Sequence, residues 1–351
     1  MLTRMSATNF LLSSFKLSNL RFSNSNSPFL FLLLVGFSLL SLSACSPKNV
    51  PSSSYSHATQ GIYSAALSSN GDVLAIGSVN HGGSFWRTND NERLYNWNHK
   101  SKSYSQITHL VFSEDQQFAV TAEPQSIVRW NTHTGEGDAL WTTFSEILDI
   151  DVFHGGRWAI IGLEDHTAVL FDLDNGGVKE IFNHDDQVNT VAVNSEKNWF
   201  ATGSNDFTVK LWSTENTAPL KIFQHEQSVQ IVEFNQDASL LFSMAQYDGA
   251  TIWNTETGEA VWQLPLGKFS TRRGSLLKSA RFSKDSQFLL TGTSDRKIQL
   301  WDLNKKQLAK EWIAPKRNKL APQGAAVLAL SFSDEGSYAA VTSDGVRHVL
   351  R

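Results

Sequence analysis

The chain of 351 residues is long enough for two average domains or for one large all-β ring. Its single cysteine, Cys45, excludes an intramolecular disulfide and a thiolate metal cluster. Without residues 1–44 the chain carries 27 basic and 34 acidic side chains, a net charge of −7. This sign argues against a general nucleic-acid binder, because phosphate contacts need a basic surface.

The first 44 residues have the pattern of a targeting segment. Residues 1–28 are basic and rich in Ser and Asn, and an apolar run follows from Phe29 to Leu40. A basic region, an apolar core and small residues before a cleavage point are typical of a secretory signal, and the run is shorter than the roughly 20 residues of a membrane span. Leu42-Ser-Ala-Cys45 resembles a bacterial lipobox, in which the cysteine is lipid-modified and becomes the new N-terminus.

The lipobox resemblance implies a signal peptide over residues 1–44, a lipidated Cys45 and a short tether over 45–48. Ser46, rather than Asp, follows the cysteine. By resemblance to sorting in enteric-type bacteria, this implies the outer membrane, facing the periplasm. A plain signal peptide or an uncleaved anchor, with an incidental cysteine, is the alternative.

Beyond the tether, three landmarks recur along the chain at near-constant spacing. A third-strand aromatic recurs every 41–48 residues, at Trp86, Trp130, Phe171, Trp212, Trp253 and Trp301, with Val349 in the equivalent place at the end. An apolar first-strand residue precedes each by 17–19 positions, at Leu67, Phe112, Phe153, Val193, Phe234, Phe282 and Phe332. A fourth-strand aromatic lies 11 residues after the third-strand one at Trp97, Trp141, Phe182, Phe223 and Trp312, and is shifted to Trp262 in the fifth unit. The spacing predicts seven like-built sheets that close into a ring, because one small sheet cannot bury its own faces.

The fourth unit carries the fullest motif. Its strands alternate apolar and polar residues around Trp199 and Val209, and the composition of Gly203 to Asp206 predicts a tight turn between them. The unit resembles a WD40 repeat, in which His, Ser or Thr, Asp and Trp form a buried hydrogen-bonded chain. The matching residues are His184, Thr202, Asp206 and Trp212 in the fourth unit, His225, Ser243, Asp248 and Trp253 in the fifth, and Thr291, Asp295 and Trp301 in the sixth.

The resemblance implies an all-β, seven-bladed β-propeller with four-stranded antiparallel blades over residues 49–351. The residues of the motif are then structural, not catalytic. The last unit supplies only three strands, Val327 to Phe332, Tyr338 to Thr342 and Val346 to Leu350. In the WD40 family the N-terminal segment provides the missing outer strand, which here falls at about residues 50–56, with His57 placed like His184 and His225.

No sequence motif for catalysis or for a cofactor stands out. Neither a phosphate-binding loop nor a nucleophile elbow occurs, so we expect no enzyme activity, no cofactor and no metal site. Two Thr-x-Thr-Gly-Glu stretches, at 132–136 and 255–259, resemble the repeat of quinoprotein-type propellers, which include enzymes and an outer-membrane assembly lipoprotein. Five of the ten histidines are scattered and show no ligand spacing: His81, His99, His154, His166 and His348.

Charge is distributed unevenly. Residues 268–319 hold 14 basic and only four acidic side chains, and the two longest repeat spacings fall in the same segment, which predicts inserted loops at about 267–275 and 314–324. By resemblance to WD40 geometry, both loops lie on the top face over blades 6 and 7. We name five of their residues the top-face patch: Arg272, Arg273, Lys316, Arg317 and Lys319.

The patch is a candidate docking site for a protein partner in the cell envelope, an anionic lipid headgroup or lipopolysaccharide. Two solvated loops with compensating charge are the alternative. The sequence therefore favours a non-enzymatic interaction scaffold that is attached to the membrane through its N-terminal lipid. The competing hypothesis is an enzyme or ligand binder that works in the central channel, which converging Asp, Glu, His and Arg side chains with perturbed titration would favour.

Overall fold

Short strands account for the regular structure of the part of the chain that the structure describes. The computed structural model describes residues 49–100, 102–247, 249–266, 276–317, 324–333 and 336–351. Within these ranges no helix is long and apolar enough to cross a membrane. The strands are β1 (Ser53–Ser56), β2 (Ile62–Leu67), β3 (Val73–Ser78), β4 (Gly82–Arg87), β5 (Glu92–Trp97), β6 (His109–Phe112), β7 (Phe118–Glu123), β8 (Ser126–Asn131), β9 (Gly137–Thr142), β10 (Ile147–Phe153), β11 (Trp158–Leu163), β12 (Thr167–Asp172), β13 (Val178–Asn183), β14 (Val188–Asn194), β15 (Trp199–Ser204), β16 (Thr208–Ser213), β17 (Asn216–Gln224), β18 (Val229–Phe234), β19 (Leu240–Ala245), β20 (Gly249–Asn254), β21 (Ala260–Gln263), β22 (Leu277–Phe282), β23 (Phe288–Thr293), β24 (Lys297–Asp302), β25 (Gln307–Ile313), β26 (Val327–Phe332), β27 (Tyr338–Thr342) and β28 (Val346–Leu350).

These strands form seven four-stranded antiparallel sheets, which confirms the predicted seven-bladed β-propeller. Blades 1 to 6 are consecutive groups of four strands beginning at β2, β6, β10, β14, β18 and β22, and blade 7 consists of β26, β27, β28 and β1. The first strand of every blade contacts the first strand of the next, and the cycle returns from β26 to β2. The first strands therefore form the inner wall of a closed ring.

Aromatic side chains fill the wedges between blades, as their spacing predicted. The fourth-strand aromatic of one blade contacts the third-strand aromatic of the next: Trp97 lies 5.6 Å from Trp130 between ring centroids, and Phe223 lies 5.2 Å from Trp253. In blade 5 the buried fourth-strand position is taken by Leu264, and the half-buried Trp262 precedes it by two residues. Trp262 still contacts Trp301 of blade 6 at 5.9 Å.

The turn predicted at Gly203 to Asp206 begins later than expected. Gly203 and Ser204 belong to β15, and the chain reverses through Asn205–Phe207, where Phe207 has a positive φ of 69°. Gly203 serves a packing role, because a Cβ there would lie 2.5 Å from Val229 of blade 5. The close approach of the next blade's inner strand, not the turn, requires this glycine.

The N-terminal segment closes the ring as predicted. β1 pairs antiparallel with β28, with Ser53 opposite Val349 and Ser56 opposite Val346. The Oγ atom of Ser54 lies 2.8 Å from Nδ1 of His348, so side chains reinforce the strand pairing. Upstream, Asn49 forms an isolated parallel bridge with Trp312 and accepts a hydrogen bond from the Ile313 amide, which ties the same segment to the outer strand of blade 6.

Candidate functional site

The network predicted for blade 4 is complete. Nδ1 of His184 lies 2.7 Å from Oδ2 of Asp206, and Nε2 lies 2.7 Å from Oγ1 of Thr202. The Trp212 indole N–H donates to the same Thr202 oxygen at 2.8 Å. Burial alone would raise the pKa of Asp206, but hydrogen bonds from His184 and Thr208, together with the His184 charge, hold that pKa far below its usual range. The network links β15, β16, the turn between them and the loop before β14, so its role is structural.

Blades 5 and 6 carry parts of the same network. In blade 5, Nε2 of His225 lies 2.8 Å from Oγ of Ser243, which accepts the Trp253 indole N–H at 2.7 Å. Asp248 lies outside the described residues. In blade 6 the Trp301 indole donates to Thr291 at 2.9 Å, and Asp295 accepts a hydrogen bond from Thr293.

Blade 2 contains a network that the sequence reading missed. Nε2 of His99 lies 2.8 Å from Oγ1 of Thr121, which accepts the Trp130 indole N–H, and Nδ1 lies 2.9 Å from Oγ of Ser126. Ser126 in turn donates to Glu123, so these two residues replace the turn aspartate. The signal was present in the sequence: Trp97-Asn-His99 repeats the aromatic-x-His order of Phe182-Asn-His184. His99 was placed among the histidines without ligand spacing, and its part in this network was not predicted.

Two carboxylates on the inner strand of blade 3 point toward the next blade. One oxygen of Asp149 accepts the Val191 amide at 2.9 Å, and one oxygen of Asp151 accepts the Val193 amide at 3.0 Å. These amides lie on β14, an inner strand with no further strand to pair with. Burial raises the pKa of Asp149 to about 7 and that of Asp151 to about 6, and the amide hydrogen bonds only partly offset the effect.

A third carboxylate, Glu233 of β18, forms an ion pair with Arg281 of β22 at 3.2 Å. Burial raises the pKa of Glu233 to about 7 although Arg281 opposes the shift, and the charges of Asp149 and Asp151 raise it further. Arg281 also lowers the pKa of Asp151, although blades 3 and 6 are not neighbours. These four residues, which we name the channel cluster, lie on the inner strands of blades 3, 5 and 6, close enough for their charges to influence one another.

The channel cluster combines an arginine with acidic side chains whose pKa values are raised, which is the pattern expected of a ligand-binding or enzymatic channel. It also shows that Arg281, counted in the basic segment, is neutralised inside the ring. No group of three or more His, Cys, Asp or Glu side chains in the described ranges is arranged to hold a metal ion.

The top-face patch is only partly within the described residues. Arg272, Arg273 and Lys319 lie outside them, so their predicted grouping is not tested. Lys316 is half-buried, and Arg317 is exposed. The Arg317 guanidinium donates to the backbone carbonyls of Ala58, at 2.6 Å, and Asp344, at 3.1 Å, which places it at the junction of blades 7 and 1. The predicted signal peptide, Cys45 and the tether also lie outside the described residues.

Comparison with known families agrees with this architecture. The sequence model of the family described as WD domain, G-beta repeat matches residues 177–213 and 264–302. The first match spans the complete network of blade 4, and the second spans most of blade 6 with Thr291, Asp295 and Trp301. No curated protein matches the chain. With seven antiparallel four-stranded blades, the repeat network at its expected positions and two matching repeats, the chain belongs to the WD40-repeat β-propeller family.

Proposed function

We propose that this propeller is a non-enzymatic interaction scaffold of the bacterial cell envelope. It is tethered by a lipid on Cys45, on the outer membrane and facing the periplasm, and it docks a protein partner through the top-face patch. WD40 propellers commonly act as protein-interaction scaffolds. A rigid ring with broad loop surfaces suits this role, because binding residues on loops are held in place by the sheets beneath them.

The observation that carries the proposal is the environment of Arg317. Its guanidinium is exposed, and within the described residues its hydrogen bonds go to backbone carbonyls and it has no carboxylate partner. Two other cations of the basic segment are paired with carboxylates: Lys305 with Asp302 at 3.0 Å, and Arg281 with Glu233. An exposed guanidinium without a carboxylate partner among the described residues is available to a carboxylate or phosphate of a partner, which Arg binds in bidentate fashion.

A charge-reversal experiment tests the docking surface. Arg272, Arg273, Arg317 and Lys319 are changed together to Glu, and capture of envelope proteins is measured after crosslinking in intact cells from a residue in the 267–275 loop. We expect the salt-sensitive captured partner to disappear. The matched control reverses four lysines of blades 1, 3 and 4, namely Lys100, Lys179, Lys197 and Lys221. Capture that survives in the patch variant, or is lost equally in the control, contradicts the docking proposal.

The lipid anchor is tested separately. Cys45→Ser removes the thiol that would carry the acyl chains, each buried CH₂ of which contributes about 0.8 kcal/mol to membrane binding. We expect the variant to lose incorporation of labelled palmitate and to move from the membrane fraction to the soluble fraction. An unchanged membrane fraction would point to an uncleaved signal anchor instead.

The channel cluster supports a second candidate, a ligand-binding or enzymatic propeller of the quinoprotein-like or envelope-assembly lipoprotein-like kind. In its favour, three carboxyl groups with raised pKa values lie on the inner strands of the ring. Against it, Asp149 and Asp151 accept backbone amides of the next blade and Glu233 is paired with Arg281, so all three already stabilise contacts between blades. We therefore favour the scaffold.

The isosteric double variant Asp149→Asn/Glu233→Gln separates the two candidates. Under the scaffold proposal it alters stability but leaves partner capture unchanged. Loss of cellular function in a folded variant with normal capture would favour the channel hypothesis. Circular dichroism and the urea midpoint establish whether the variant is folded.

A further inference from the structure

A cavity with several polar residues in its lining opens on blade 1, at the end of the sheet where β3 ends and β2 begins. Its volume is about 140 Å³. Buried His57, Ser78 and Ser84 line its inner part, and exposed Gln60, His81 and Arg93 line its mouth. At roughly 30 Å³ per water molecule, the space holds a group of four to five water volumes.

The floor of the cavity contains an unpartnered histidine. His57 is 8% exposed, and neither ring nitrogen has a hydrogen-bond partner among the described residues. Its ring contacts Trp86 edge-on at 4.8 Å between centroids. Because a buried polar group without a partner is costly, such a group in a native fold calls for a ligand or for water.

His57 lacks a hydrogen-bond partner among the described residues because of a residue on β3, the second strand of blade 1. Thr202 of β15 bridges His184 and Trp212 in blade 4, and the residue at its position in β3 is Ile76, which cannot form hydrogen bonds. Trp86 donates to Ser84 of its own strand at 2.9 Å instead. The Ser84 oxygen is thus an acceptor for the indole, and no described residue accepts its own O–H, which can donate into the cavity.

The charge around the cavity is positive. None of the nine lining residues is acidic. The Arg93 guanidinium carbon lies 5.6 Å from the centroid of the Trp86 ring, and within the described part of the chain this guanidinium forms no hydrogen bond or ion pair. Arg317 donates to the carbonyl oxygen of Ala58, which also lines the cavity. Burial, and then the charge of Arg347, lower the pKa of His57 to about 4, so His57 is neutral at pH 7 and offers one N–H donor and one acceptor.

We propose that this cavity binds a small oxyanion, which is held by the Arg93 guanidinium, the His57 ring N–H and the Ser84 hydroxyl. The two classes that fit are a free carboxylate and a free phosphate, since both present several acceptor oxygens to these donors. None of these three donors belongs to the top-face patch, and the lipid anchor takes no part in the site.

The test uses the full chain labelled with ¹⁵N at histidine. Sodium acetate and inorganic phosphate are titrated separately at constant ionic strength against sodium chloride, and the His57 ring nitrogens are followed by NMR. We expect saturable shifts for acetate, for phosphate or for both, which also identifies the preferred class. Arg93→Gln should weaken binding by about tenfold or more, because it removes a charge-assisted contact. Arg157→Gln is the matched control, since Arg157 lies 5.2 Å from the Trp158 ring on blade 3, away from the cavity.

His57→Asn assigns the resonance. If this variant does not fold, the binding isotherms of the two arginine variants decide the matter, since both arginines are exposed. The proposal is overturned if neither anion gives saturable binding, in which case the cavity holds only water. It is also overturned if Arg93→Gln binds as tightly as Arg157→Gln.

Discussion

The histidines of blades 4 and 1 occupy the same place in the repeat but have different surroundings. His184 has a partner at both ring nitrogens, whereas His57 has none among the described residues. Both rings contact the third-strand tryptophan of their blade edge-on, at 6.1 Å for His184 and 4.8 Å for His57. The contact between histidine and tryptophan is therefore made with or without the hydrogen-bond network, which a blade can lack.

The two histidines also follow different kinds of strand. His184 follows β13, which belongs to an unbroken blade, and His57 follows β1, the strand that closes the ring. The orientation of His57 thus depends on ring closure, in addition to its own blade. Four predictions test this contrast, in order of decreasing effect.

Removal of the closing strand should have the largest effect. A chain that begins at residue 57 loses the ladder between β1 and β28 and the Ser54–His348 contact. We expect a loss of roughly 3–5 kcal/mol of unfolding free energy, since blade 7 then exposes an unpaired edge and His57 loses its anchor. A chain that begins at residue 49 keeps both features and should match the longer protein in thermal unfolding. Equal melting temperatures for the two truncations would contradict the closure.

Thr202→Val should make blade 4 resemble blade 1. The substitution leaves the His184 Nε2 atom and the Trp212 indole N–H buried without a partner. We expect a cost of about 2–4 kcal/mol, measured by urea denaturation. Thr217→Val, at an exposed position on β17 of the same blade, should change stability by less than about 0.5 kcal/mol. A small effect at Thr202 would mean that the network contributes little.

The two blades should respond to acid in different pH ranges. The folded-state pKa of His57 lies below its unfolded value. Its contribution to the unfolding free energy is therefore fully present above pH 6.5 and is lost as the pH falls toward 4. The pKa of Asp206 is depressed from 3.8, so its contribution is present above that value and is lost as pH falls further. As the pH falls from 7 to 4, the unfolding free energy of His57→Phe should rise by roughly 1–3 kcal/mol relative to that of the wild type.

Asp206→Asn is the matched variant for blade 4. The unfolding free energy of this variant should be lower than that of the wild type, and the difference should shrink only below about pH 4, where the wild-type carboxylate is protonated in the unfolded chain. Urea midpoints at pH 7, 5.5, 4 and 3 distinguish the two variants. If the stabilities of both variants relative to wild type change over the same pH interval, the proposed separation between the titration of His57 and that of Asp206 is contradicted.

Ile76→Thr should have the smallest effect on stability. The new hydroxyl can bridge His57 and Trp86 as Thr202 does in blade 4, but apolar burial is lost, so the net change should stay within about 1 kcal/mol. The substitution should nevertheless weaken oxyanion binding in the cavity, because it occupies the His57 ring nitrogen. Retained affinity, measured with the same NMR titration, would show that His57 is not part of the binding site.

The sequence by itself determined the blade number, the strand order and the network of blade 4. The spacing of the aromatic residues reveals the blade number and strand order, because each wedge between blades is filled at the same place in the repeat. Trp212 and its counterparts therefore recur at nearly equal intervals. His99 was also within reach, since its aromatic-x-His context repeats that of His184. The turn at Asn205 was misplaced by two residues, because Gly203 is required by a neighbouring blade and not by its own loop.

Only the tertiary structure decided which polar groups meet. Asp149, Asp151, Glu233 and Arg281 lie up to 132 residues apart in the chain and come together because their strands line one ring. The cavity beside His57 likewise depends on three separated segments and on Ile76, whose lack of a hydroxyl matters only because of what surrounds it. Periodicity records contacts that every blade repeats, whereas contacts that occur once, across the channel or at the closure, leave no period in the sequence.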